Sequence, residues 1–208
     1  MGSEGGLPGG LAFFSPRRAA TQPPMLVEDT PLPGLKVVTP RRLEDARGWF
    51  QETWSRAAMA REALDLDWVQ DNHSLSRAPG TVRGLHYQAP PHAQWKLVRC
   101  VAGAILDVAV DARLGSPTFG RAFALELSAG NGRQLLVPLG FLHGFATLTP
   151  DAEVLYKVSA PYHGGSDGAV RWDSVGLDWG VAEPLLSDKD RRAPPWADWA
   201  TPFRWEGP

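Results

Sequence analysis

What this chain has little of already narrows its class. Cys100 is the one cysteine among 208 residues. No disulfide can therefore form within the chain, which is typical of a reducing compartment and favours a cytoplasmic location. We interpret Cys100 as a small buried strand residue rather than a nucleophile, because free cysteines are commonly buried. No apolar run approaches the roughly 20 residues that span a bilayer, so we expect no membrane partner. The start of the chain also lacks the basic and apolar pattern of a secretion signal.

An excess of basic charge is missing too. Lys and Arg together number 21 against 23 Asp and Glu, which gives a net charge of −2. A general nucleic-acid binder would usually be basic, so we expect no nucleic-acid partner. The length suits one domain, predicted over 25–208, whose core can bury most of its apolar surface. Residues 1–24 are rich in Gly, Pro, Ser and Ala, and are predicted to be a flexible extension.

Turn-forming and aromatic residues are plentiful, with 22 Gly, 19 Pro and nine Trp. Many turns between aromatic-rich strands are typical of an all-β barrel or sandwich. Helices are predicted at 55–64, with Ser55 as N-cap, and at 187–192. Short strands are predicted at 96–101, 104–111, 123–127, 134–137 and 153–159.

The segment 104–111 shows the clearest alternation. Its even-numbered residues, from Ala104 to Val110, are apolar, whereas the opposite face includes Asp107 and Asp111. This period of two predicts a half-buried strand. The preceding Ala102-Gly103 predicts a short hairpin to the strand before it.

Three segments carry groups capable of chemistry, namely 81–96, 138–145 and 152–157. On a regular strand, His86 shares a face with Val82, Gly84 and Gln88. Likewise, Tyr156 shares a face with Ala152, Val154 and Val158. These small or apolar neighbours predict that both side chains face into the barrel.

Arg83 has the opposite parity to His86 on a regular strand. The two could converge on one site only through a bulge, which Gly84 between them would tolerate.

A cavity that holds His, Lys, Tyr and Arg suits proton removal next to a carbonyl group. That reaction needs a base, a group that stabilises the enolate oxygen, and an acid that returns the proton. A His titrates near neutral pH and suits the base, and an Arg suits the phosphates of a nucleotide. A Tyr on the opposite face would invert the carbon centre. Taken singly, each of these residues is more often structural, and we assign His73, His92 and His163 to that class.

Several ordered motifs resemble the dTDP-4-dehydrorhamnose 3,5-epimerase family. The resemblance runs from about residue 45 to residue 190, and 138–145 also resembles the second half of the cupin motif. The motifs are DARGWFQE at 45–52, QDNHS at 70–74, RGLHYQ at 83–88, KLV at 96–98, SPTFG at 116–120, PLGFLHGF at 138–145, YK at 156–157 and SDKD at 187–190.

The resemblance implies an all-β, double-stranded β-helix (a cupin or jelly-roll barrel) with short helices at the termini, paired into a homodimer. It implies epimerisation at carbons 3 and 5 of dTDP-4-dehydro-6-deoxy-D-glucose to give dTDP-4-dehydro-L-rhamnose, with no cofactor and no metal. It also implies the catalytic roles. His86 is the base, Asp190 orients and charges its ring, Tyr156 is the acid, and Lys96 stabilises the enolate oxygen at carbon 4.

The same resemblance implies a set of substrate-binding residues. Arg83 and His143 line the sugar pocket or its phosphate side, and Tyr162 stacks on the thymine. The segment that reaches the nucleotide, partly from the neighbouring subunit, contains Arg47, Phe50 and Glu52. Further ligands are Gln70, Asn72 and Lys189.

The chain departs from the family pattern in three places. Trp95 replaces a small residue before the lysine. The stretch 163–168 lacks a proline and a glutamate, for which Asp167 is the substitute, and 172–180 lacks two prolines. These changes affect loops rather than the matched base, acid or lysine.

Three alternatives remain open. A single-centre 3- or 5-epimerase of another dTDP-4-keto-deoxysugar would use the same groups. A metal-dependent cupin enzyme would need three or four His, Glu or Asp ligands, and the two histidines of the first cupin half are missing here. A non-catalytic sugar-binding barrel would have lost the base or the acid, and both are present.

Overall fold

A computed structural model describes residues 25–207, so the predicted extension at 1–24 lies outside the described residues. Most regular structure in this part of the chain is β-strand, in two facing sheets and a separate hairpin. The predicted all-β barrel is therefore confirmed. The six-stranded sheet contains β1 (Met25–Asp29), β2 (Lys36–Pro40), β5 (Gln70–Ser76), β7 (Lys96–Ala102), β10 (Gln134–Val137) and β12 (Ala152–Val158). The five-stranded sheet contains β6 (Val82–Gln88), β8 (Ala104–Asp111), β9 (Ala122–Ser128), β11 (Phe141–Thr147) and β13 (Asp167–Ala169), and the hairpin is β3 (Arg42–Asp45) with β4 (Gly48–Gln51).

The strand order shows how the chain alternates between sheets. It is β1-β2-β10-β7-β12-β5 in the larger sheet and β13-β6-β11-β8-β9 in the smaller one. The pairing of neighbouring strands is antiparallel throughout both sheets. Apolar side chains from the inner faces of both sheets form one core cluster, which includes Val98, Leu135 and Phe141.

Two short helices lie where helices were predicted, and a serine caps each of them. Helix α1 (Arg56–Arg61) begins after Ser55, whose hydroxyl accepts a hydrogen bond from the Ala58 amide at 3.4 Å. Helix α2 (Asp188–Arg192) begins after Ser187, whose hydroxyl accepts from the Asp190 amide at 3.1 Å. No helix in the described part of the chain is long and apolar enough to cross a membrane.

The hairpin predicted at Ala102-Gly103 is wrong. β7 pairs with β10 and β12, whereas β8 pairs with β11 and β9. Gly103, with φ +70°, turns the chain from one sheet into the other. A turn-forming pair of residues indicates that the chain reverses, but it does not indicate which strand will be the hydrogen-bonded neighbour.

The predicted faces of β8 are correct, but its half-buried character is wrong. Ile105 and Ala109 lie in the core between the sheets. Val108 and Val110 lie in a second buried cluster on the outer face, which also contains Trp179 and Phe203. The C-terminal part of the chain therefore covers the face that would otherwise meet solvent.

A bulge in β6 confirms the irregularity predicted at Gly84. His86 lies opposite His143, whereas Arg83 lies opposite Phe145, so β6 advances three residues while β11 advances two. The bulge reverses the parity along β6. The prediction that His86 shares a face with Val82 is therefore wrong, since Val82 packs in the outer cluster.

The bulge depends on two glycines in direct backbone contact. A Cβ atom added at Gly84, whose φ is +127°, would lie 2.6 Å from the Gly144 Cα and 2.9 Å from the His143 carbonyl oxygen. A Cβ atom added at Gly144 would lie 2.7 Å from the Arg83 carbonyl oxygen. Backbone atoms cannot move aside as a flexible side chain can, so neither position accepts a side chain.

Gly84→Ala should destabilise the protein more than Gly48→Ala, which is a matched control. Gly48 has nearly the same φ, +125°, but nothing lies within 4 Å of its added Cβ atom. Backbone strain alone should cost about 1–3 kcal/mol in both variants. The collision should add about 1–3 kcal/mol in Gly84→Ala. Urea denaturation measures both, and equal losses would show that the close contact is not a constraint.

Candidate active site

A cavity of about 440 Å³ lies in the barrel and is lined by all four predicted catalytic residues. A second cavity of about 260 Å³ adjoins it and shares His86, Lys96, Tyr156 and Lys189 with the first. The first cavity also contains Arg83 and His143, and the second contains Gln70, Asn72 and Tyr162. The barrel thus brings most of the predicted site residues together.

His86 and Asp190 form the closest contact in the cavity. His86 Nε2 lies 2.5 Å from Asp190 Oδ1, although 104 positions separate them in the chain. The Ser187 hydroxyl donates to the other carboxylate oxygen at 2.8 Å. Burial tends to raise the pKa of Asp190, but the hydrogen bonds from His86 and Ser187 and the nearby charges outweigh it and lower that pKa.

An ionised carboxylate accepts hydrogen bonds, so the His86 nitrogen that faces Asp190 carries the proton. This fixes the ring tautomer and leaves Nδ1 of the neutral ring able to accept a proton. Asp190 is almost completely buried, whereas the His86 side chain is 32% exposed and lines the cavity. This arrangement suits the predicted role of His86 as a general base.

Lys96 and Tyr156 stand on the opposite wall from His86. His86 belongs to the five-stranded sheet, whereas Lys96 on β7 and Tyr156 on β12 belong to the six-stranded sheet. β7 and β12 are hydrogen-bonded neighbours. A molecule bound between the sheets would therefore meet a base on one face and a hydroxyl on the other.

Burial shifts the pKa of both groups on that wall. It lowers the pKa of Lys96 to about 8, although Asp107 and Asp167 act in the opposite direction. It raises the pKa of Tyr156, with a smaller lowering effect from Arg83. Tyr156 thus keeps its proton at neutral pH, and Lys96 is still mainly charged there.

Arg83 and His143 line the cavity from two neighbouring strands. Arg83 Nε donates to the Ser76 hydroxyl at 3.0 Å, which holds the guanidinium at the cavity wall. His143 Nε2 lies 2.9 Å from Asp107 Oδ1. Asp107 is completely buried and was not predicted as a site residue. Alternation along β8 indicates that Asp107 faces the core, but it does not identify His143 as the hydrogen-bond partner.

The second cavity is organised around Asp167, the residue interpreted as a substitute for the family glutamate. Asp167 Oδ2 accepts from Lys189 Nζ at 2.5 Å and from the Tyr162 hydroxyl at 3.3 Å. The Tyr162 amide donates to Gln70 Oε1 at 3.1 Å, and Gln70 Nε2 donates to Asn72 Oδ1 at 2.8 Å. The Tyr162 ring is 63% exposed and therefore open to stacking.

Arg47, Phe50 and Glu52 do not join the site of their own chain. Arg47 forms an ion pair with Asp45, and Phe50 is 70% exposed on the β3–β4 hairpin. None of the three lines either cavity. Their role as nucleotide ligands stays a prediction that needs a neighbouring subunit.

Within residues 25–207, no group of three or more His, Cys, Asp or Glu side chains is placed to hold a metal ion. Cys100 is buried, as predicted.

Fold and site together define a cupin-like barrel with an acid–base cavity. The family model for dTDP-4-dehydrorhamnose 3,5-epimerase matches residues 29–198. The chain belongs to that family. A relative of that name from Sinorhizobium fredii is 48% identical over 163 residues, which is 77% of this chain and 84% of the relative.

Solved structures are similar over nearly their whole length. The dTDP-4-dehydrorhamnose 3,5-epimerase of Bacillus anthracis, solved with TDP and PPi bound, is 44% identical with a TM-score of 0.81, and covers 82% of this chain and 99% of that one. The dTDP-6-deoxy-D-glucose-3,5-epimerase of Legionella pneumophila, solved in complex with dTDP-4-keto-L-rhamnose, is 36% identical with a TM-score of 0.83. It covers 88% of this chain and 100% of that one.

Lys96 should titrate near pH 8 in the free protein, well below the usual value near 10.5. The remaining lysines, Lys36, Lys157 and Lys189, are few enough for complete assignment with Lys96→Met. Heteronuclear NMR of the side-chain ammonium groups measures the midpoint. A Lys96 midpoint at or above 10 would show that the lysine is not buried as described.

Proposed function

We propose that this protein is a dTDP-4-dehydrorhamnose 3,5-epimerase that converts dTDP-4-dehydro-6-deoxy-D-glucose into dTDP-4-dehydro-L-rhamnose. The observation that carries the proposal is the His86–Asp190 pair on one wall of the cavity, facing Tyr156 and Lys96 on the other. The family to which the chain belongs supports the identity of the substrate.

Proton removal begins the reaction. His86 takes the proton from a carbon next to the 4-keto group, and the ring becomes an imidazolium beside the Asp190 carboxylate. The electron pair of the broken C–H bond moves onto the carbon 4 oxygen. Lys96 stabilises that enolate oxygen with its positive charge, which is worth most in a site shielded from water.

Proton return completes the inversion. Tyr156 donates its hydroxyl proton to the opposite face of the same carbon. The enolate electrons form the new C–H bond as the ketone is restored, which leaves Tyr156 as a phenolate and His86 as an imidazolium. Proton exchange with solvent returns both groups to their starting forms before the second carbon reacts. Carbons 3 and 5 both flank carbon 4, so one set of groups serves both steps once the sugar has turned in the cavity.

Variants of the base and the acid should separate exchange from inversion. His86→Ala should abolish both solvent exchange and product, because no enolate forms. Tyr156→Phe should lose inversion but keep some exchange, because His86 can return the proton to the face it came from. General acid–base groups typically contribute about 10²–10⁴-fold, so both losses should be large. NMR of the 4-keto sugar nucleotide in heavy water measures exchange and product together.

His73→Ala is the matched control, because this histidine lies outside the cavities and is paired with the exposed Glu153. It should leave turnover unchanged. Binding of dTDP should survive in every variant. Near-normal exchange in His86→Ala would show that the base is misassigned.

We also propose that the protein is a cytoplasmic homodimer in which the β3–β4 hairpin completes the neighbour's nucleotide site. Trp49 and Phe50 leave large apolar surfaces exposed on that hairpin, 57% and 70% respectively. Exposed apolar side chains on a separate hairpin are typical of a surface that pairs with a partner.

Mixing two impaired variants tests the exchanged hairpin directly. His86→Ala and Arg47→Ala chains should each lose activity as homodimers. If each hairpin serves the other barrel, a mixed dimer regains one intact site, and random mixing should restore about a quarter of the wild-type activity. No recovery in mixtures shown to contain mixed dimers, or an active monomer by light scattering, would contradict the proposal.

A single-centre epimerase would use the same groups. Exchange and inversion at one carbon only would identify it.

A further inference from the structure

Asp107 is a buried carboxylate that the proposed proton transfers do not use. Its side chain has no exposed surface, and its Oδ1 atom lies 2.9 Å from His143 Nε2. Its Oδ2 atom is shielded from solvent and has no hydrogen-bond partner in residues 25–207. A buried carboxylate with one oxygen unsatisfied is costly, so it needs positive charge nearby.

A second carboxylate on the same face of β8 shows what a purely structural role looks like. Asp111 is also completely buried, but Arg113 Nε donates to its Oδ1 at 2.8 Å. Ser116 and Thr118 donate to its Oδ2 at 2.6 Å each. Both carboxylate oxygens of Asp111 thus accept hydrogen bonds from the loop that follows it. In contrast, one carboxylate oxygen of Asp107 has no hydrogen-bond partner among the described residues.

The groups around Asp107 belong to the cavity wall. His143 on β11 contacts it directly and lines the same cavity as Lys96 on β7, and the charge of Asp107 acts on Lys96. Lys96 also responds to Asp167 on β13 and Lys189 on α2. The other titratable or charged groups that line the same cavity are Arg83, His86, Tyr156 and Asp190.

We propose that Asp107 is a positioning residue, which fixes the His143 ring through a hydrogen bond and keeps the neighbouring Lys96 in its charged ammonium form. The effect on turnover rests on the proposed function. The tautomer of His143 and the charge of Lys96 are properties of the free protein, and they hold whether or not the proposed function is correct.

The ring effect follows from donor and acceptor chemistry. A carboxylate only accepts, so the His143 nitrogen that faces Asp107 is an N–H donor. The proton is thereby held at Nε2, which leaves Nδ1 as the nitrogen available to a ligand. A carboxylate behind a ring is the usual means of fixing a histidine tautomer.

The effect on Lys96 follows from opposing contributions. Burial is the larger one and lowers the pKa of Lys96 to about 8, whereas the Asp107 charge raises it. Without Asp107 the midpoint would fall further, and a smaller fraction of Lys96 would be charged at a given alkaline pH. A neutral amine stabilises an enolate oxygen much less than an ammonium does.

Asp107→Asn tests the proposal, since it keeps the shape of the side chain and removes its charge. Nitrogen NMR of the free protein should show that wild-type His143 holds its proton at Nε2, and that Lys96 of the variant titrates below its wild-type midpoint. The alkaline limb of the kcat/KM–pH profile, which reports groups of the free enzyme, should move the same way. Each unit of downward shift lowers the charged fraction above the midpoint about tenfold, so kcat/KM at pH 9 should fall about tenfold per unit.

Asp111→Asn is the control for loss of a buried charge on the same strand. It should lower the denaturation midpoint and leave the His143 ring and the Lys96 titration unchanged. An unchanged Lys96 titration in Asp107→Asn would overturn the proposal, as would a wild-type His143 protonated at Nδ1 alone. The wild-type spectrum tests the tautomer of His143 even if the variant does not fold. An inactive wild-type protein with the expected signals would instead count against the proposed function.

Discussion

The close contact between Gly84 and Gly144 is the constraint on which the site depends. It allows β6 to bulge against β11, with only 2.6 Å between the Gly144 Cα and an added Cβ atom at Gly84. The bulge reverses the parity of the strand, so that Arg83 and His86 both line the cavity, and Val82 packs in the second buried cluster. On a regular strand one of the two functional side chains would face the outer cluster.

The two sheets divide the chemistry between them. His86, the proposed base, stands on the five-stranded sheet, and Lys96 and Tyr156 stand on the six-stranded sheet. The C-terminal part of the chain links packing to catalysis, since it covers the outer face of β8 with Trp179 and Phe203 and carries Asp190 to His86. Loss of that covering would therefore affect both stability and the charge on the base.

Local patterns in the sequence predicted a large part of this arrangement. Ser55 as an N-cap predicted α1, alternation predicted the two faces of β8, and opposite parity at Arg83 and His86 predicted the bulge. Strand pairing was not predictable in the same way. Ala102-Gly103 indicates a reversal whether the next strand stays in its sheet or crosses to the other.

Contacts between distant segments account for the features that the sequence did not reveal. The role of Asp107 became visible only when β11 placed His143 against it. The full burial of β8 needed the tryptophan-rich end of the chain, whose destination no local pattern specifies. Family resemblance supplied the roles of His86, Asp190, Tyr156 and Lys96, and the geometry explains why those residue types suit them.

In the proposed reaction, protons leave and return on opposite sides of a sugar held between the sheets. The sharpest measurement follows the wild-type protein with dTDP-4-dehydro-6-deoxy-D-glucose in heavy water and locates deuterium in the product by NMR. We expect deuterium at carbons 3 and 5, both with inverted configuration. Inverted product that carries no deuterium at either carbon would contradict this mechanism.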